Sequence, residues 1–147
     1  MILEQTLVRF LVHEALPGAP RPLYLAHARS GPGFDLREVA ISRPYWIFKY
    51  TLEGRGVLEG RGAGFDLTPG TACLLRLPVS EGGYWYRVPP GVQKSWASIY
   101  LEFDPAGGAA LFLPLLDRYG PVYSLGSGGT LIRELYSLHK GHRDAGF

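Results

Sequence analysis

The stretch Tyr45-Trp46-Ile47-Phe48-Lys49-Tyr50-Thr51-Leu52-Glu53-Gly54-Arg55-Gly56 decides the fold, because an aromatic and β-branched run here ends in a Gly-x-Gly turn. Tyr, Trp, Ile, Phe and Thr suit the pleated, half-buried surface of a strand, and Gly supplies the backbone freedom of a tight turn. The same alternation recurs on both sides of this stretch. Strands are predicted at 24–28, 34–40, 45–52, 56–59, 64–67, 72–76, 83–88 and 95–103, each bounded by Gly, Pro or polar residues. The pentapeptide Leu-Glu-Gly-Arg-Gly appears at 52–56 and again at 58–62, a spacing that fits two successive turns rather than a structural repeat. In Thr68-Pro69-Gly70, Pro presets the second turn position and Gly takes the left-handed third.

Beyond Asp104-Pro105 the pattern becomes helical. One helix is predicted over 109–119, interrupted by Pro114, and a second from 130 to about 140. In the second, Leu131, Leu135 and Leu138 form a stripe with Ile132 and Tyr136 alongside. Residues 121–125 suit either a short strand or an extended connector, and 141–147 read as a fraying tail. The predicted class is mainly β: a sandwich or barrel with its N-terminal arm over 1–104, followed by a helical extension over 105–147 packed on it within the same domain.

Composition narrows the function. The 147 residues suffice for one domain, 46% of them are apolar and 19% charged, and no apolar run approaches the ~20 residues of a membrane-spanning helix. No membrane partner is expected. The start shows no basic region ahead of an apolar stretch, so a cytoplasmic location is expected. The net charge of +2 is spread along the chain, with Arg55 and Arg61 in turns, so no basic stripe marks a nucleic-acid surface. Cys73, the single cysteine, lies in Ala-Cys-Leu-Leu and reads as a buried thiol.

Three segments taken in order resemble the effector-binding domain of AraC-type transcription regulators, which implies a cupin-like (jelly-roll) β-barrel followed by one or two C-terminal helices. The segments are the aromatic strand with its Gly-x-Gly turn at 45–56, the Pro-Gly turn and buried strand at 67–78, and the long strand Trp96-Ala97-Ser98-Ile99-Tyr100-Leu101-Glu102-Phe103 before Asp104-Pro105. The resemblance implies a small-molecule effector, a sugar or similar polar metabolite, held inside the barrel. It also implies that DNA is contacted only through a C-terminal domain that this chain does not contain. The chain is then one domain of a regulator or a stand-alone barrel, and a homodimer through a barrel face stays open.

Alternation places Trp96, Ser98, Tyr100 and Glu102 on one face of the last long strand and Ala97, Ile99, Leu101 and Phe103 on the other. The first face offers rings, hydroxyls and a carboxylate to a polar ligand; the second suits the helices, with Leu111, Phe112, Leu115, Leu131 and Leu135 as partners. By the resemblance, Ser98, Tyr100 and Trp85 fall on sugar-contacting positions of the family's arabinose-sensing member, and Arg37 falls near a pocket arginine. In 82–87, either Trp85 or the pair Tyr84 and Tyr86 points inward. Tyr84 and Ser98 stand where that member has histidines, so the effector need not be arabinose. The expected ligand-binding set is Arg37, Trp85, Trp96, Ser98, Tyr100 and Glu102.

No cofactor, metal site or catalytic residue is expected. Enzymes with related barrels hold a metal through a His-x-His pair on the strand that here reads 47–52, and this strand has no histidine. His13, His27, His139 and His142 all lie outside the barrel motifs, and His139 with His142 makes only a two-donor spacing on the last helix. There is no Gly-x-Ser-x-Gly elbow; the acids Asp66, Glu81, Glu102 and Asp104 could approach one another as a pair, but Asp66 and Asp104 stand at strand ends beside turns, where acids serve solvent and backbone. The alternatives are a free-standing cupin-like enzyme acting on carbohydrate and an inert dimerisation module; tightly held stoichiometric metal would favour the enzyme. The segment before Tyr24, with Leu7, Val8, Phe10, Leu11 and Val12, suits a lid over the pocket mouth or a first strand equally well.

Overall fold

A computed structural model describes residues 2–10, 19–126 and 129–144, without the side chains of 142–144. Leu11, Val12, His13, the His142 side chain and the end of the tail lie outside the described residues. In chain order the elements are β1 (Ile2–Arg9), β2 (Pro22–Ser30), a 3-10 turn (Leu36–Glu38), β3 (Tyr45–Glu53), β4 (Gly56–Gly60), β5 (Ala63–Leu67) and β6 (Thr71–Leu77). They continue with β7 (Trp85–Arg87), β8 (Trp96–Phe103), α1 (Pro105–Tyr119), β9 (Val122–Ser124) and α2 (Gly129–Asp144).

Among the described residues all the strand pairs are antiparallel, and they form two sheets with orders β1-β2-β8-β3-β6-β9 and β5-β4-β7. This is the mainly-β, cupin-like barrel followed by helices that the sequence implied. Its turns follow local chemistry. β4 and β5 are joined by Arg61 and Gly62 with φ of 52° and 74°, the paired positive values that match a two-residue hairpin to the twist of its strands. At Thr68-Pro69-Gly70 the Thr71 N–H donates to the Thr68 carbonyl over 2.9 Å with Gly70 at φ 90°, as the Pro-Gly pair predicts.

The larger sheet is covered on both sides. Toward the smaller sheet it presents Ala26, Ala28, Ile47, Cys73, Leu75, Leu77, Trp96 and Tyr100, which meet Leu58, Leu67, Tyr86 and Val88. Its outer face carries Leu25, Tyr50, Ala72 and Ile99 against Ile132 and Leu135 of α2, and Trp46, Leu74 and Phe103 against Phe112, Leu115 and Leu116 of α1. Asp104 caps α1 by accepting from the Ala106 N–H at 2.8 Å, with Pro105 in the first turn, where its missing N–H costs nothing.

Several expectations are corrected. The strand at 34–40 is instead a 3-10 turn, because the Asp35 carboxylate accepts from the Arg37 backbone N–H and closes the chain on itself. The first helix starts at Pro105 rather than 109 and runs through Pro114, whose ring lies on the exposed side. The second extends to Asp144, so the start of the predicted tail is helical. Its buried stripe is Ile132, Leu135 and His139, while Leu131 and Leu138 face outward, as does Leu111 of α1. The rotation is fixed by His139, whose Nε2 lies 2.9 Å from the Thr6 hydroxyl and 3.1 Å from the Thr6 carbonyl oxygen. Residues 122–124 form a true strand, paired with β6.

Candidate functional site

The barrel interior is built around a lysine. Along β3 the alternation that sends Trp46, Phe48 and Tyr50 to the helices sends Ile47, Lys49 and Thr51 inward. Lys49 is 4% exposed. Its strand neighbours are Cys73 on β6 and Tyr100 on β8, and its Nζ lies 4.4 Å from the Tyr86 ring centroid, 4.7 Å from that of Trp96 and 4.9 Å from that of Tyr100. Ring faces at these distances attract an ammonium through their quadrupole. Lys49 donates a long hydrogen bond, 3.4 Å, to the Tyr86 hydroxyl. Burial pulls the Lys49 pKa down from its ordinary 10.5 to about 8, with Cys73 and Glu102 acting in the opposite direction.

The walls of the cage are themselves fixed. The Trp96 indole N–H donates to the Thr51 hydroxyl at 2.9 Å, and its ring packs edge-on to Tyr86 with centroids 5.2 Å apart. Gly56 lies flat against that indole, where an added Cβ would stand 2.8 Å from the ring.

Beside the cage is a cavity of about 80 Å³ lined by Lys49, Tyr45, Tyr86, Tyr100, Glu102 and Ser30, with Phe34, Leu36, Val39 and Ile47 among its apolar neighbours. β1 borders it with Ile2 and Gln5, and the Gln5 amide donates to the Tyr100 hydroxyl. Burial pushes the Tyr100 hydroxyl up to about 12 and the Tyr86 hydroxyl well above its ordinary value, so both stay protonated donors at neutral pH. Burial also raises the Glu102 carboxyl, against the pull of Arg43 and Lys49. Lys49 and Glu102 share the cavity as diagonal neighbours, since Lys49 stands opposite Tyr100 and Glu102 opposite Ile47, and they form no ion pair among those of the described residues. Cys73, directly across from Lys49, is a fully buried thiol that burial pushes up to about 12, too high for a nucleophile.

Of the residues singled out from sequence, Tyr100 and Glu102 line the cavity, Trp96 walls the cage, and Ser98 is buried on the same strand opposite Thr51. Arg37 and Trp85 lie elsewhere. The Arg37 guanidinium is half-exposed, ion-paired with Asp35 at 2.7 Å and stacked 4.6 Å over the Trp85 ring, away from the cavity lining. Of the two orientations left open for 82–87, the structure has Tyr86 inward; Tyr84 and Trp85 are only half-buried. Sequence reasoning missed Lys49, Tyr45 and Gln5. The signal for Lys49 was the period of β3, which puts it in phase with Ile47 and Thr51. His27 and His139 lie between β2, β1 and α2, with ring centroids 6.0 Å apart. Among the described residues no cluster of three His, Cys, Asp or Glu side chains could hold a metal.

These strand orders and the walled interior define a cupin-like barrel domain. No protein-family model and no curated protein matches the chain. Among solved structures it is similar to a cupin 2 conserved barrel domain protein from Salinispora arenicola, at 14% identity over 74% of this chain and 84% of that one, with a TM-score of 0.43. It is also similar to a predicted oxalate decarboxylase from Thermotoga maritima (15% identity, 56% and 67% covered, TM-score 0.39) and a cupin protein from Bacteroides fragilis (12% identity, 67% and 86% covered, TM-score 0.39).

Proposed function

We propose that the chain is the ligand-sensing barrel of an AraC-type transcription regulator, binding a small polar metabolite inside the barrel and acting by binding rather than catalysis. The observation that carries this reading is the construction of the cavity: a wall of tyrosine hydroxyls, a carboxylate and a buried cation, tied to the N-terminal strand through Gln5 and Tyr100. A ligand that displaces or strengthens that tie gives β1 two states of different stability, which is what a sensor requires. The placement of His27 and His139 against α2 rather than in the interior favours binding over metal-assisted catalysis. In the regulator, DNA contact belongs to a separate helix-turn-helix domain.

The test is a thermal-shift panel of sugars, sugar acids and small hydroxylated metabolites on the purified chain. A saturable rise in melting temperature, accompanied by a change in tryptophan fluorescence, is the expected result. A panel without any stabilising compound would overturn the sensor reading. The regulator assignment is tested separately by whether the coding sequence downstream of residue 147 specifies paired helix-turn-helix units.

A further inference from the structure

Lys49 poses a question that the sensor reading leaves open: what the buried ammonium is for. An ammonium has three donors, and here one is used on a 3.4 Å contact to Tyr86 while three ring faces supply attraction but no lone pair in line with the remaining N–H bonds. A buried charge without an ion-pair partner is costly, and the acid lining the cavity, Glu102, is held one diagonal step away without pairing. Filling the interior with Met or Leu at this position would avoid that cost. The arrangement makes sense when an anion completes it.

We propose that the cavity recognises a carboxylate, received by the Lys49 ammonium and by the hydroxyls of Tyr86 and Tyr100. This deepens the reading of the barrel as an effector site and rests on it. A neutral sugar hydroxyl would satisfy hydrogen bonds but leave the charge unpaired, whereas a carboxylate does both. Size narrows the class further. At about 80 Å³ the cavity suits a short carboxylate of about two or three carbons, such as a 2-hydroxy acid. Glu102, on the same wall, then faces the far end of the ligand, where it accepts from a hydroxyl and disfavours a second carboxylate.

The experiment titrates the full chain with sodium glycolate and sodium lactate, and with the neutral analogues glycolamide and lactamide at equal ionic strength. It follows tryptophan fluorescence and melting temperature in the wild type, Lys49→Met and Lys49→Gln. Saturable binding of the carboxylates at least tenfold tighter than of the amides, and lost in both variants, is the expected result. Equal response to acid and amide, or binding unchanged in the variants, would overturn the inference while leaving the sensor reading standing. Neutral sugars that bind wild type and variants alike would do the same. Should the variants fail to fold, the wild-type Lys49 Nζ resonance decides: glycolate must shift it and glycolamide must not. Silence toward all of these acids, amides and sugars would sink the carboxylate inference together with the reading beneath it.

Discussion

The indole of Trp96 donates its N–H to the hydroxyl of Thr51 across the β8–β3 pair, 2.9 Å apart, and both residues are almost wholly buried. That bond sets the plane of the ring that flanks Lys49. Thr51→Val keeps the shape of the side chain but removes the acceptor, leaving a buried donor unpaired at a cost of about 1–3 kcal/mol. Urea unfolding should show the loss, and Thr51→Ser should recover most of it. An unchanged midpoint in the Val variant would mean that the indole finds another acceptor.

Gly56 makes the complementary prediction from the other side of the same ring. A methyl group there meets the indole at 2.8 Å, so Gly56→Ala must push Trp96 aside and is expected to destabilise by about 1–3 kcal/mol. The displacement should also alter the near-ultraviolet circular dichroism of the folded protein. Wild-type stability and an unaltered spectrum would show that the contact is slack.

Which of these features could be read in the sequence depends on contrast between the two faces of an element. On β8 one face is purely apolar and the other mixes rings with polar groups, so the alternation of Trp96, Ser98, Tyr100 and Glu102 against Ala97, Ile99, Leu101 and Phe103 was legible. In Tyr84-Trp85-Tyr86 three aromatic residues in succession give no contrast, and only the pairing of Tyr86 with Leu58 on β4 selects the inward ring. At Arg37 the alternating pattern of 34–37 imitates a strand, but a local bond from Asp35 outcompetes sheet pairing. Lys49 was passed over because a charge in a strand is ordinarily solvated. Its burial depends on Tyr86 and Trp96, distant in sequence, converging on one point.

The buried lysine should leave a signature in pH-dependent stability. Its pKa is lowered from 10.5 to about 8, so between those values the unfolded chain binds a proton that the folded chain does not, and stability rises with pH by at most about 1.4 kcal/mol per unit. Below pH 8 both states are charged and the cost of burial is fully present. Lys49→Met lacks this group and is expected to be the more stable protein at pH 7, with its advantage shrinking between pH 8 and 10. Urea midpoints at pH 7, 8, 9 and 10 for both proteins measure the difference, and parallel profiles would contradict it.

Arg37 gives a prediction of near-silence. Its ion pair with Asp35 is half-exposed and its guanidinium stacks on Trp85 outside the cavity lining. Arg37→Ala should therefore leave the urea midpoint nearly unchanged and leave the affinity for any carboxylate unchanged. A tenfold loss of affinity in isothermal titration would bring Arg37 back into the site.

β1 is the edge strand over the cavity, and besides the packing of Val8 two side-chain hydrogen bonds among the described residues hold it: Gln5 to Tyr100 inside and Thr6 with His139 of α2 outside. Because Gln5 and Thr6 are consecutive residues of the strand, their contacts clamp it from opposite faces of the sheet. Gln5→Ala releases only the inner contact, which is worth about 1 kcal/mol, so the strand should open locally about fivefold more often while the barrel beneath keeps its stability. Trypsin reads that opening at Arg9, the exposed last residue of β1, and cleavage there should accelerate by the same factor. If the cavity controls the arm, saturating glycolate must change the wild-type cleavage rate and have no effect on Lys49→Met. A rate indifferent to Gln5 and to glycolate would leave β1 a fixed structural strand with no part in signalling.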